Sequence, residues 1–182
     1  MLRDIARVLS QKVSVSIVDT NNEIAGCCDI PHSSVGTATR VMVHKRSEQS
    51  HDMIRCVQSQ RPHAIVIDEL DSKSDIGAAY YCKRRSVRLV ASAVGTLEDI
   101  LNDPTRSLLL GGVKDADSNK VRAAEPMFDV IVELRRGVTN EWRIIDAADA
   151  VDAFLGGKPY VAQVRTRMPQ TGKLLLGYER SY

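Results

Sequence analysis

Pro62-His-Ala-Ile-Val-Ile-Asp-Glu-Leu70 is the stretch that decides the fold of this 182-residue chain. Ile65, Val66 and Ile67 form a short β-branched run suited to a parallel strand covered on both faces. Asp68 and Glu69 follow at its carboxyl end, the edge at which open α/β sheets bind ligands. Arg61-Pro62 closes the preceding helix just before the strand begins.

The flanking pattern extends the same architecture. Leu2, Ile5, Ala6 and Leu9 recur at helical spacing. Val13 to Val18 alternates with a period of two and ends at Asp19-Thr-Asn-Asn-Glu23, so a second carboxylate pair lies at a strand end. Residues 26–36 read as loop. Ser47 is placed to cap a helix in which Met53, Ile54 and Val57 share a face. Ser74 is placed to cap a helix over 75–84, Val87 to Val94 reads as a strand closed by Gly95, and Thr96 caps a short helix over 97–102. Helix and strand alternating in this way predict a parallel sheet with helices on both faces.

After Leu108-Leu-Leu-Gly-Gly112 the pattern changes. Met127 to Leu134 and Glu141 to Asp146 read as strands of a hairpin joined across Gly137-Val-Thr-Asn140. Ala147 to Leu155 reads as a helix ended by Gly156-Gly157. Tyr160 to Arg167 and Lys173 to Arg180 form a terminal hairpin turning at Pro169-Gln-Thr-Gly172.

Composition bounds the function classes. With 43% hydrophobic residues the chain can bury a core, and it is expected to be soluble. Lys plus Arg exceed Asp plus Glu by only 25 to 23, so overall charge selects neither nucleic acid nor an anionic membrane as partner. No apolar run reaches the roughly 18 residues of a membrane span. The opening Met-Leu-Arg-Asp-Ile-Ala-Arg carries an acid and lacks the apolar core of a secretory signal. Cysteines 27, 28, 56 and 82 form no CxxC pair, which suits an intracellular, reducing compartment. Cys27-Cys28-Asp29 with His32 could suggest a metal site, but adjacent cysteines seldom both face one tetrahedral ion; loop thiols are the alternative. His44, His51 and His63 stand singly and read as surface or structural histidines.

A buried strand ending in two carboxylates is the Walker B arrangement of nucleotide hydrolases. In that role Asp68 holds the water shell of a magnesium ion on the nucleotide phosphates and Glu69 polarises the attacking water. An ordinary strand followed by a turn is the alternative reading of these residues alone. Taken with Met1-Leu-Arg-Asp-Ile-Ala-Arg-Val-Leu-Ser10, Ile17-Val-Asp-Thr-Asn-Asn-Glu-Ile-Ala-Gly26, Asp29-Ile-Pro-His32, Leu101-Asn-Asp-Pro-Thr105, Gly111-Gly-Val113 and Pro126-Met-Phe-Asp-Val-Ile-Val-Glu133, the stretch resembles the ATPase domain of stage III sporulation protein AA and its plastid-associated relatives. The resemblance covers roughly residues 1–157.

It implies an α/β fold of the RecA/AAA-type P-loop NTPase class, N-terminally truncated and followed by C-terminal β-hairpins. Residues 1–125 would be a partial P-loop core, 126–157 its C-terminal hairpin and helix, and 158–182 a terminal hairpin or tail. It also implies ATP and Mg2+ as ligands, with Asp68 and Asp19 on the cofactor side and Glu69 and Glu23 as catalytic candidates; Glu23 comes from the acidic box Asp19-Thr-Asn-Asn-Glu23. A structural loop carboxylate is the alternative for Glu23. In the family a Gly-x-x-x-x-Gly-Lys-Thr loop precedes the segment resembling Met1 to Arg7, and these 182 residues contain no such loop. Ala91-Ser-Ala-Val-Gly95 likewise has Val94 where the family pattern has His, which removes a hydrogen-bond donor to the terminal phosphate. ATP hydrolysis would therefore require a longer native chain that supplies the loop. The alternative is a catalytically inactive scaffold or assembly partner of a complete ATPase.

The resemblance further implies ring-like self-association, with Arg84, Arg85 and Arg106 as candidate trans-acting arginines, and a cytoplasmic or plastid location. A nucleic-acid module is a further reading. Arg165, Arg167, Lys173 and Arg180 with Tyr160, Tyr178 and Tyr182 could neutralise and stack on a single strand; solvated charge on a hairpin is the alternative.

Overall fold

A computed structural model of the protein describes residues 1–116, 119–135, 138 and 140–181. The chain divides into two compact units, Met1–Val94 and Gly95–Tyr182. In the first, β1 (Val15–Asp19), β2 (Thr39–Met42), β3 (Ala64–Ile67) and β4 (Arg88–Ala91) form one sheet in the order β2-β1-β3-β4. Every neighbouring pair is parallel. Ile65, Val66 and Ile67 are fully buried, as the uninterrupted β-branched run requires, and each contributes roughly 1.5–3 kcal/mol by leaving water.

Both faces of this sheet are covered. Val15, Ile17, Ala64 and Val66 cluster with Ala6 of α1 (Leu2–Ser10), and Leu2 and Leu9 pack at the margin. On the other face Ser16 Oγ donates to Gln60 Oε1 of α2 (Gln49–Gln60) at 2.7 Å. Helix α2 packs in turn on α3 (Lys73–Arg84).

Three local expectations change. The strand β2 lies in a segment whose sequence, Thr-Arg-Val-Met, carries neither a clean alternation nor an apolar run; it holds an edge with only partial burial. Ser47 does not cap α2, because it sits inside a 3-10 turn over Arg46–Glu48 that leads into the helix. The cap of α3 is Ser72 rather than Ser74: Ser72 Oγ accepts the Asp75 amide, so the helix starts two residues earlier.

The second unit opens with α4 (Leu97–Asn102), where Thr96 and Asp99 form a reciprocal capping box. A 3-10 turn over Arg106–Leu110 ends at Gly111. That position admits only glycine, having φ of +97° and a would-be Cβ 2.1 Å from the Ala124 carbonyl oxygen. A small hairpin pairs β5 (Val113–Ala116) with β6 (Asn119–Arg122). The main sheet is antiparallel, in the order β10-β9-β8-β7, built from β7 (Val130–Leu134), β8 (Glu141–Asp146), β9 (Tyr160–Arg167) and β10 (Leu174–Ser181). Both expected hairpins therefore join one sheet; Gly137 and Thr139 of the first expected turn lie outside the described residues. Helix α5 (Ala147–Leu155), capped by Asp146, packs on β8 and β9, over a face where Ile145, Tyr160 and Ala162 are buried. Tyr160 therefore cannot join Tyr178 on an exposed stacking surface, and Tyr182 lies outside the described residues.

Candidate functional site

The parallel sheet has a switch point. From β1 the chain runs to β2 on one side, whereas from β3 it runs to β4 on the other, and connections that part in this way leave a crevice beyond the carboxyl ends of the strands between them. Those strands are β1 and β3. Their register pairs Val18 with Ile67, so Asp19 and Asp68 are next to each other at that edge. Ile67 also pairs with Ala91 of β4, which brings Ser92 alongside Asp68.

The two aspartates have different surroundings. Asp19 is fully buried and its two oxygens accept the backbone amides of Ala25 at 2.8 Å and Ile24 at 3.4 Å. It thus shapes the loop after β1. From the other side Arg3 of α1 donates to the Ile24 and Glu23 carbonyls at 2.5 and 2.7 Å, leaving the Glu23 side chain exposed on a loop held at both ends. Asp68 is 7% exposed, and its Oδ2 is buried with no hydrogen-bond partner among the described residues. A carboxylate oxygen in that state is short of a ligand: burial without compensation costs several kcal/mol, and a cation or its water shell would supply the missing contact. This fits magnesium, which keeps several waters and uses only one or two protein carboxylates.

Glu69 is half-buried in the left-handed region, at φ +48°, a conformation costing about 1 kcal/mol for a non-glycine residue. Three side chains hold it there. Ser92 Oγ accepts the Glu69 amide at 3.0 Å, while Arg46 and Gln49 donate to its carbonyl at 2.9 and 3.0 Å. Gln49, fully buried at the start of α2, also accepts hydrogen bonds from Thr20 and Arg46. One side chain therefore ties the loop after β1 to the loop after β3. Arg46 continues the network to Asp71 at 2.5 Å and Asp75 at 3.4 Å.

The sequence reading missed Arg46, Gln49 and Ser92. Their partners lie mostly 20 or more residues away in the chain, on side chains and backbone alike, and no local pattern marks such contacts.

Residues 1–114 match the sequence profile of the family described as sporulation stage III, protein AA. The chain belongs to that family. The matched region takes in the whole parallel sheet and every residue of the crevice. Among curated relatives of the chain, the protein SEEDLING PLASTID DEVELOPMENT 1 of Arabidopsis thaliana is 35% identical over 91% of this chain and 26% of its own length. The uncharacterized proteins ycf45 of Porphyra purpurea and Cyanidium caldarium are 32% and 30% identical, over 96% and 91% of this chain and 34% and 54% of their own lengths. The chain thus spans between about a quarter and about half of these relatives.

The remaining sequence candidates are dispersed. Cys27 and Cys28 are exposed free thiols, and His32 Nδ1 accepts the Ser34 amide as a helix cap. Among the described residues, no three His, Cys, Asp or Glu side chains converge to hold a metal ion. Arg85 lies over the Tyr81 ring, 5.0 Å from its centroid, and Arg106 pairs with Asp103 at 3.2 Å. Val94 is 69% exposed. No described helix is long and apolar enough to cross a membrane.

Proposed function

We propose that residues 1–94 are the core of a RecA/AAA-type ATPase whose nucleotide phosphates lie at the crevice between β1 and β3. The buried, unpartnered Oδ2 of Asp68 carries this reading. Magnesium bound with ATP would supply charge neutralisation at the β- and γ-phosphates. Asp68 holds its water shell. Glu69 orients and deprotonates the attacking water, with its backbone fixed by Ser92, Arg46 and Gln49, and Glu23 assists from the opposite loop. Asp19 acts through that loop by setting the position of Glu23. The phosphate-binding loop is contributed by sequence outside these 182 residues, in line with relatives that are two to four times longer. The plastid named in one relative supports a plastid role over a cytoplasmic one.

Val94 and the absence of a Gly-x-x-x-x-Gly-Lys-Thr run in this sequence favour a second reading, an inactive scaffold that assembles with a complete ATPase. Binding of a fluorescent ATP analogue to the longest native polypeptide containing these residues separates the two. The ATPase reading expects magnesium-dependent binding that weakens at least about tenfold in Asp68→Asn. Binding that ignores both magnesium and this substitution contradicts it, and no binding at all, with co-purification of a second ATPase, favours the scaffold.

A further inference from the structure

The two faces of the antiparallel sheet differ in charge. On the face under α5, Glu133 pairs with Arg143 at 2.7 Å and Glu179 with Arg135 at 2.9 Å, and Glu141 lies 3.8 Å from Arg135. All the glutamates of the sheet are therefore on that side. The register places Arg165, Arg167 and Arg180 on the other, where none of them makes an ion pair among the described residues. The one acid there, Asp146, serves as the cap of α5.

That second face is also apolar. Val132 and Ile144 lie in one row that continues to Tyr178, and Leu134 and Trp142 in a second that continues through Arg165 to Leu176. Leu134, Leu176 and Tyr178 are 61%, 59% and 69% exposed. A sheet apolar on both sides calls for a layer on each, and α5 supplies only one.

We propose that this face docks an amphipathic helix of a partner protein, with its apolar side on the Trp142–Leu176 row and its carboxylates toward Arg165, Arg167 and Arg180. Size supports a helix. Four strands about 4.8 Å apart and five to eight residues long present roughly 19 by 23 Å, only about half of the about 800 Å² per partner of a stable protein interface. A helix is about 10–12 Å across with its side chains, and 12 residues of it run about 18 Å. A second copy of the face would set arginine against arginine, with Asp146, engaged as the α5 cap, as the one acid on each copy. A single-stranded nucleic acid could stack on Trp142 and Tyr178 but would leave Val132, Leu134 and Leu176 in water.

Trp142 is the single tryptophan of the chain and reports on the face directly. The full chain is titrated with a helical peptide that carries leucines at i, i+3, i+4 and i+7 and glutamates on its flanks, while tryptophan emission is followed. The expected result is a saturable blue shift below about 1 mM peptide. The shift disappears in Leu176→Glu and needs about tenfold more peptide in Arg165→Glu, with far-UV circular dichroism unchanged in both. No shift, an equal shift with lysines in place of the glutamates, or a shift produced only by oligo-dT or by anionic phospholipid vesicles overturns the proposal.

Discussion

Replacing Asp19 by alanine should destabilise the first unit by about 2–4 kcal/mol. The carboxylate is fully buried and accepts two backbone amides, Ala25 at 2.8 Å and Ile24 at 3.4 Å, both in residues that are themselves buried. Alanine leaves two donors stranded, at about 1–3 kcal/mol each. The longer bond belongs at the low end, and release of a buried charge from its desolvation cost offsets part of the sum. The result is a sizeable share of the roughly 5–15 kcal/mol that holds a domain together. Asp19→Asn keeps one acceptor and should lose about half as much. Urea unfolding gives the totals, and amide exchange at Ile24 and Ala25, compared with that of β3, localises them. A loss below about 0.5 kcal/mol in Asp19→Ala, or unchanged exchange at those amides, refutes the assignment of Asp19 to shaping the loop.

Gln49→Ala removes the link between Thr20 and the Glu69 carbonyl; it should cost about 1–3 kcal/mol and speed amide exchange in both loops, measured by mass spectrometry. Burial, reinforced by the nearby Cys56 thiol, pushes the Cys82 thiol from 9.0 up to about 11. The folded chain then keeps a proton that the unfolded chain has released, so stability should be full below pH 9 and fall by about 1.4 kcal/mol per unit between pH 9 and 11, with a shallower fall in Cys82→Ala unfolding curves. Glu133→Ala leaves buried Arg143 with Glu179 at 3.6 Å as its remaining acidic neighbour, and thermal unfolding should report a loss of about 2–3 kcal/mol in the second unit.

What was legible in the sequence follows from how local each signal is. Ile65-Val-Ile67 announced a doubly covered strand because its burial leaves no polar position, and Thr96 announced a cap because the amide it accepts, that of Asp99, lies within one turn. The strand Thr39–Met42 gave no such sign: it is stabilised by pairing with β1 rather than by its own pattern. The pair of strands Val113–Ala116 and Asn119–Arg122 is hidden because Lys114, Asp115, Asn119 and Lys120 face solvent as any loop would. In the crevice, the carboxylates of Asp68 and Glu69 could be read from their place after an apolar run. The different state of Asp19 could not, since it depends on where the Ile24 and Ala25 amides fold back. The charge asymmetry of the antiparallel sheet was equally unreadable, because it appears only once register sorts Glu133, Glu141 and Glu179 from Arg165, Arg167 and Arg180.

Phosphate release from magnesium-ATP by the longest native polypeptide containing these residues, wild type against Glu69→Gln, tests the central claim most directly. The account predicts turnover that falls about 100-fold or more in the variant, with nucleotide binding retained. Equal turnover in the two proteins would contradict it.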